Sequence, residues 1–233
     1  MLHQAVILAG GFGKRLGEIT QKKQKVFLNF GDKPFLDYIV SKLILNGIKE
    51  VNLCLGYKAQ EIIQYYSNNR KVKCHIEKYP LGTGGALNSI VEKLDRNFVV
   101  LNGDSFLNEN LANVFKKNDL DKTLEFSHML LTRNPNENEI RYGSVKMDKR
   151  KITSFSEKVD TSEYINAGIY FMNREHLSFC QSEKFSLEND LFPKLAKKSL
   201  LYGITSESYF IDIGTPESLE KAKNELGKYI NND

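Results

Sequence analysis

The sequence is short of cysteine, histidine and long apolar runs, and each shortage closes off a class of function. Its three cysteines, Cys54, Cys74 and Cys180, are odd in number and unclustered. Such a set fits neither a disulfide framework nor a structural zinc site, so reduced, partly buried thiols are expected. The four histidines, His3, His75, His128 and His176, show no metal-ligand spacing and read as structural or solvated. No run of about 18 apolar residues occurs, which argues against a membrane-spanning helix. The opening "MLHQAVILAGG" has neither a basic leader nor a small-residue cleavage site. A signal peptide is therefore not expected, and a cytoplasmic location is. Internal repeats and low-complexity segments are also missing. A net charge of +4 over 233 residues is too mild to demand nucleic acid, although it suits anionic small molecules.

What is there is an ordinary globular balance, 41% hydrophobic and 27% charged, at a length that suits one α/β domain. The first half alternates buried-strand and amphipathic-helix patterns. "AVILAG", "VNLCLGY", "VKCHIEK" and "NFVVLNGD" read as strands. "FLDYIVSKLILNGI", "AQEIIQYYSNN" and "TGGALNSIVEKL" read as helices. In the first of these, Phe35, Ile39, Leu43 and Leu45 are placed near one face, with Gly47 closing the helix. The alternation predicts right-handed βαβ units and a mostly parallel sheet.

From about residue 121 the rhythm changes. "TLEFSHMLLT", "YGSVKMD", "KITSFSEK" and "YINAGIYFMN" are closely spaced strands, suggesting a mixed or antiparallel extension, with "RNPNENEIR" a polar loop between them. The end returns to helix in "LENDLFPKLAKK" and "TPESLEKAKNELGKYI", the latter with Thr215 as N-cap and Pro216 at its first position. The expected fold is a Rossmann-like three-layer α/β sandwich. It is expected to form one domain over 1–233, its halves 1–120 and 121–233 sharing the work.

Chemistry concentrates at "LAGGFGKRLGEITQKKQKV". Gly10, Gly11 and Gly13 follow a strand, where backbone N–H groups can approach an anion at the carboxyl edge of a parallel sheet. The dinucleotide fingerprint wants a glycine where Leu16 stands, and the P-loop wants Ser or Thr where Arg15 stands, so neither fits. Asp104 ends a buried strand and Asp212 lies in a strand-to-helix turn. By position alone, each could be a solvated turn residue.

Six motifs in order resemble those of the sugar-1-phosphate nucleotidyltransferases, which join a sugar 1-phosphate to a nucleoside triphosphate. They are "LAGGFGKRL", "EKYPLGTGGALNSI", "VVLNGDS", "YGSVKMD…ITSFSEK", "YINAGIYFMN" and "FIDIGTPESL". The resemblance spans nearly the whole chain and implies the nucleotide-diphospho-sugar transferase fold. It implies a nucleotide site of Leu8, Ala9, Gly10, Gly11, Gly13, Glu77, Pro80, Gly82, Thr83 and Gly103. Gly82, Gly84 and Gly85 are expected to let a planar base lie against backbone. The implied sugar site is Gly143, Glu157, Asn166, Ala167 and Gly168, with Gly143 allowing close approach of a ring. Mg²⁺ would be held by Asp104 and Asp212. Arg15 would hold the β- and γ-phosphates, Lys25 the α-phosphate and Lys158 the phosphate of the sugar. Tyr142, Tyr170, Tyr209 and Phe210 read as core rather than sugar platform.

One motif departs from the family. Its P-K-P is here Gln24-Lys25-Val26, which keeps the lysine and loses two φ-fixing prolines. "PLGTGG" resembles guanylyltransferases more than thymidylyl enzymes, with Glu77 facing N1–H and the 2-amino group of guanine. A surface glutamate facing a helix is the alternative for Glu77. "NGD", "FSLENDLFPKL" and "FIDIGTPE" most resemble the D-glycero-D-manno-heptose 1-phosphate guanylyltransferase branch. Mannose 1-phosphate with GTP, and UTP or dTTP with a glucose- or N-acetylmuramate-type phosphate, stay open, as does a non-catalytic sugar-nucleotide-binding homologue. Only small-molecule partners are expected, with no nucleic acid or membrane. A homodimer through the mixed-sheet half is left open.

Overall fold

A computed structural model describes residues 2–134, 142–157 and 163–230, apart from the side chains of 14, 21, 22, 157 and 230. In chain order the strands are β1 (Gln4–Ala9), β2 (Asn29–Phe30), β3 (Lys33–Pro34), β4 (Glu50–Leu55), β5 (Val72–Ile76), β6 (Asn97–Asn102) and β7 (Ser105–Leu107). Then come β8 (Ser127–Arg133), β9 (Gly143–Asp148), β10 (Lys151–Glu157), β11 (Tyr164–Asn173), β12 (Leu201–Ser206) and β13 (Phe210–Asp212). The α-helices are α1 (Ile19–Lys22), α2 (Phe35–Leu45), α3 (Ala59–Tyr66), α4 (Gly82–Asn88), α5 (Leu111–Lys117), α6 (Phe192–Lys197), α7 (Pro216–Glu225) and α8 (Gly227–Ile230).

Nine strands form one sheet in the order β5-β4-β1-β6-β11-β8-β12-β10-β9. β1 pairs in parallel with β4 and β6, and β4 with β5. β11 is antiparallel to both β6 and β8, and the β9–β10 hairpin closes the far edge. The expected parallel core with a mixed extension is therefore present. The central strands are near-continuous apolar runs because helices cover both their faces. On one face Ala5, Ile7, Val99 and Leu101 pack with α2, α3, α5 and α7. On the other, Val6, Phe98, Val100 and Tyr170 pack with α4 and α6. The result is a three-layer sandwich.

The α7 start is as read. The Thr215 side chain accepts from the Ser218 N–H, Ser218 answers in a capping box, and Pro216 opens the helix. In α2 the sequence reading needs one correction. Phe35, Ile39 and Leu43 are buried, but Leu45 is 72% exposed. At about 100° per residue, Leu45 lies roughly 200° round the helix from Leu43, on the solvent side. The loop read in "RNPNENEIR" falls largely on residues 135–141, outside the described residues.

The glycines of "LGTGG" have partners within the protein that their sequence does not suggest. The Gly84 and Gly85 N–H groups both donate to the Phe185 carbonyl, at 3.0 and 3.1 Å, and Phe185 N–H donates to Leu81 O at 3.1 Å. A Cβ on Gly84 would lie 2.1 Å from the Phe185 ring, one on Gly85 2.4 Å from Glu183 O, and one on Gly82 2.5 Å from Phe185 O. Their missing side chains let the segment at 183–188 seat against the start of α4.

Cys54 is buried and its thiol is pushed up to about 12 by desolvation and then by Glu77, which fits an inert reduced cysteine.

Two expectations follow. Alanine normally favours a helix over glycine by about 1 kcal/mol. Gly84→Ala should instead destabilise by about 1–3 kcal/mol from overpacking, and Phe185→Leu should restore part of the loss, both read by denaturant melts. His128 is buried between β8 neighbours, and burial, then Arg150, lowers its pKa to about 4. Above its ordinary value near 6.5 it is neutral folded or unfolded. Below that the unfolded chain takes up a proton the fold refuses, so stability should fall between pH 6.5 and about 4, by up to about 3 kcal/mol. His128→Gln should flatten that part of the stability–pH curve.

Candidate active site

Parallel pairing brings the carboxyl ends of β1, β4 and β6 to one edge of the sheet. Leu8 lies beside Cys54 on one side and Asn102 on the other. The ends of β1 and β6 and the turns after them, the segment after β5 running into α4, and Lys25–Val26 form a cavity of about 300 Å³. Leu8, Ala9, Gly10, Gly11, Lys25, Glu77, Pro80, Gly82, Thr83 and Asp104 line it, all named from sequence. Gly13 and Gly103 do not. Gly13 turns the loop at φ +64°, and Gly103 N–H donates to Leu8 O at 2.9 Å, locking β6 to β1. A Cβ on Gly10 would sit 2.6 Å from Glu77 Oε1, so a side chain there would push the carboxylate aside. Glu77 Oε2 accepts from Leu81 N–H at 3.1 Å. Burial raises the Glu77 carboxyl above its ordinary range, against the pull of that N–H.

Sequence reasoning missed Phe12, Val26, Ala86 and Asn102 in this wall. Phe12 is 45% exposed and packs on Tyr57, with ring centroids 5.4 Å apart. An aromatic inside a glycine turn with no apolar neighbour in sequence was the available signal.

A second cavity of about 130 Å³ adjoins the first, and Asn102 and Asp104 line both. Arg15, Gly143, Asn166 and Asp212 line it, so Arg15, named for the nucleotide's phosphates, stands in the second cavity and not the first. Gly143 needs its bare Cα for a different reason than a sugar ring, because a Cβ would lie 2.8 Å from the Phe155 ring. Asn166 spans a break in the β8–β11 ladder, donating to Tyr170 Oη at 2.8 Å and accepting from Gly168 N–H at 2.9 Å. Ala167 is buried, and Gly168, at φ +74°, packs on the Asn102 side chain, so neither lines the cavity. Glu157 ends β10, its side chain outside the described atoms, and Lys158 lies outside the described residues. The cavity also takes in Tyr142, Phe155, Glu188 and Phe210, which were not named as site residues. Tyr142 and Phe210 had been read as core. Their rings meet edge-on at 5.8 Å over the cavity, while Tyr170 is fully buried.

The two aspartates are brought together by the β7–β13 pair: Ser105 pairs with Asp212, and Ile213 N–H donates to the carbonyl of Asp104, in the turn before β7, at 2.9 Å. Asp212 accepts from Gly214 N–H at 2.7 Å and from the Tyr142 hydroxyl at 2.5 Å. Asp104 forms an ion pair with Lys25. Burial alone would raise the Asp104 carboxyl, but Lys25 and then Arg15 outweigh it and hold it below its ordinary value. Among the described residues, no group of three His, Cys, Asp or Glu side chains is arranged to hold a metal, so any cation here would rest on these two carboxylates.

The missing prolines have a structural replacement. Gln24 sits at φ −64° and ψ 140°, a proline-like conformation, and its side-chain amide donates to the Ala9 carbonyl. Val26 is buried in the main core and lines the first cavity. Lys25 is thus fixed between a tethered residue and an anchored one.

A family model for nucleotidyl transferases matches residues 4–228. The chain belongs to the nucleotidyl transferase family. D-glycero-alpha-D-manno-heptose 1-phosphate guanylyltransferase of Aneurinibacillus thermoaerophilus is 37% identical over 97% of this chain and 100% of its own length. The enzyme of that name from Campylobacter jejuni is also 37% identical, over 92% of this chain and 96% of its own length. Among solved structures, HddC from Yersinia pseudotuberculosis complexed with GMP-PN has a TM-score of 0.80 and 29% identity, covering 97% of this chain and 100% of that one. No described helix of the present chain is long and apolar enough to cross a membrane.

Gln24→Ala removes the tether and leaves the Ala9 carbonyl without that donor. A loss of about 1 kcal/mol in stability is expected, with a several-fold rise in KM for the nucleotide. Gln24→Pro loses the same donor but fits the observed φ, so its stiffer backbone should offset part of the loss and keep both values nearer those of the unaltered chain than Gln24→Ala does. Melting curves and steady-state kinetics on the two variants check this.

Proposed function

We propose that this chain transfers GMP from GTP to D-glycero-D-manno-heptose 1-phosphate, giving GDP-heptose and pyrophosphate for a surface polysaccharide or glycoprotein. The observation that carries the reading is the pair of cavities meeting at Asn102 and Asp104, with Arg15 and Lys25 beside the junction. The heptose enzymes at 37% identity over nearly the full chain support the choice of substrates.

The nucleotide occupies the first cavity and the sugar phosphate the second. An oxygen of the sugar phosphate attacks the α-phosphorus in line. The bond from that phosphorus to the oxygen bridging the α- and β-phosphates breaks, and pyrophosphate leaves with the electron pair. No general base is needed, because the attacking phosphate is already ionised near pH 7. Catalysis then rests on positioning and on charge placed where it develops. Arg15 stabilises the departing pyrophosphate, Lys25 the α-phosphate oxygens, and Lys158 the phosphate of the sugar. Glu77, held by Leu81 N–H, accepts from N1–H and the 2-amino group of guanine, a pair of donors that other bases do not present.

Asp104 and Asp212 would hold Mg²⁺. Two hard oxygen donors on one cavity wall suit an ion that completes its shell with phosphate oxygens and water. When bound, the ion neutralises phosphate charge. The enzyme works in the cytoplasm on small molecules alone.

A pyrophosphate-release screen should cross five nucleoside triphosphates with heptose, mannose, glucose and N-acetylated sugar 1-phosphates. GTP with the heptose is expected to lead by at least about tenfold in kcat/KM, the scale of a few lost contacts. Preference for UTP or dTTP would overturn the Glu77 assignment. Asp104→Asn should lower kcat by about 100-fold or more, and an unchanged rate would sink its assignment as a metal ligand.

A further inference from the structure

Glu188 belongs to none of the family motifs' assigned roles, yet it reaches both halves of the site. It lies in a single π-helical turn, Leu187–Leu191, which runs directly into α6. Such turns are rare and often mark functional positions. Its half-buried carboxylate lines the second cavity with Arg15, Asp104, Asn166 and Asp212. Oε2 accepts from Thr83 Oγ1 at 2.5 Å and from Ser186 Oγ at 2.9 Å. Thr83 lines the first cavity, and its oxygen accepts in turn from Leu187 N–H at 2.8 Å. Ser186 Oγ accepts from the N–H groups of Glu188 and Asn189, each at 3.1 Å. The only proton of each hydroxyl is therefore committed to Glu188. Swinging the carboxylate away would strand two donors.

Taking the substrates of the proposed function as given, we propose that Glu188 is a sugar-binding, specificity-determining residue, positioned by Thr83 from across the nucleotide cavity. A carboxylate only accepts hydrogen bonds, and sugar hydroxyls donate them. Charge sets the orientation. Glu188 repels the phosphate end of the substrate, so the ring, not the phosphate, faces Glu188. A sugar lacking the matching hydroxyl would desolvate the carboxylate without replacing water, and this rejects it. The hydroxyl of Thr83 is spent on this bond, so Thr83 serves the sugar from a wall that faces the nucleotide.

The test uses the full chain with Glu188→Gln and Thr83→Val. Kinetics by pyrophosphate release are paired with calorimetric binding of GDP and of GDP-sugar. Glu188→Gln should raise KM for the sugar 1-phosphate about tenfold, the order of one lost charge-assisted bond. It should leave kcat and KM for GTP within about threefold, weaken GDP-sugar about tenfold and leave GDP unchanged. Thr83→Val should shift the sugar KM in the same direction by a smaller factor. The double variant should show less than the product of the two effects, because both act through one contact. Equal weakening of GDP and GDP-sugar by Glu188→Gln, or an unchanged sugar KM, would overturn the proposal and leave Glu188 a packing residue. Absence of pyrophosphate release by the unaltered chain would count against the functional reading instead. The two binding constants, measured without turnover, would still decide the part played by Glu188.

Discussion

Everything at the site follows from β1 lying in parallel between β4 and β6. Parallel strands must all end at the same edge, and the chain must leave that edge through turns. The glycine loop after β1, the turn after β4 and Asp104 after β6 are neighbours for that reason alone. The next layer is electrostatic. A half-buried carboxylate at a strand end is tolerable because Lys25 pairs with it and Arg15 stands near. Lys25 in turn can serve only if its backbone is fixed, which Gln24 achieves through the Ala9 carbonyl and Val26 through burial. Loss of two prolines changed the means of holding the lysine and kept its place.

The parallel half of the fold was legible because both its faces are covered, so β1, β4 and β6 are mostly apolar runs ending at a glycine. Cap chemistry at Thr215 was equally plain, being local. Leu45 misled because two leucines close in sequence look alike until the helical angle between them is counted. Of the site, residues carried by strand ends and glycine turns were found: Gly10, Glu77, Asp104, Asn166 and Asp212 all line one cavity or the other.

What was not legible depends on contacts made across the chain. Gly84 and Gly85 look like a base-binding turn in isolation, but their partner, Phe185, lies 100 residues on, and only the fold brings it there. Tyr142 and Phe210 come from opposite sides of a 68-residue interval and meet over the cavity because the β7–β13 pair places Asp212 beside Asp104. Glu188 had no local signature, since a π-helical turn leaves no periodic trace in so few residues. Asn102 shows a subtler limit. Its Oδ1 is buried with no hydrogen-bond partner among the described residues, at the boundary between the cavities, and no residue pattern announces that.

The seating of residues 183–188 against the start of α4 has an evolutionary consequence. A glycine that exists to admit a distant segment cannot be exchanged to retune the pocket beside it. Side-chain variation at positions 84 and 85 is closed to selection on the shape of the first cavity, and that freedom falls to lining residues such as Glu77, Phe12 and Pro80. The same seating ties the two cavities together. A lineage that reshapes the 183–188 segment beside the second cavity also moves the start of α4, which lines the first, so change in one cavity must be accompanied by adjustment in the other.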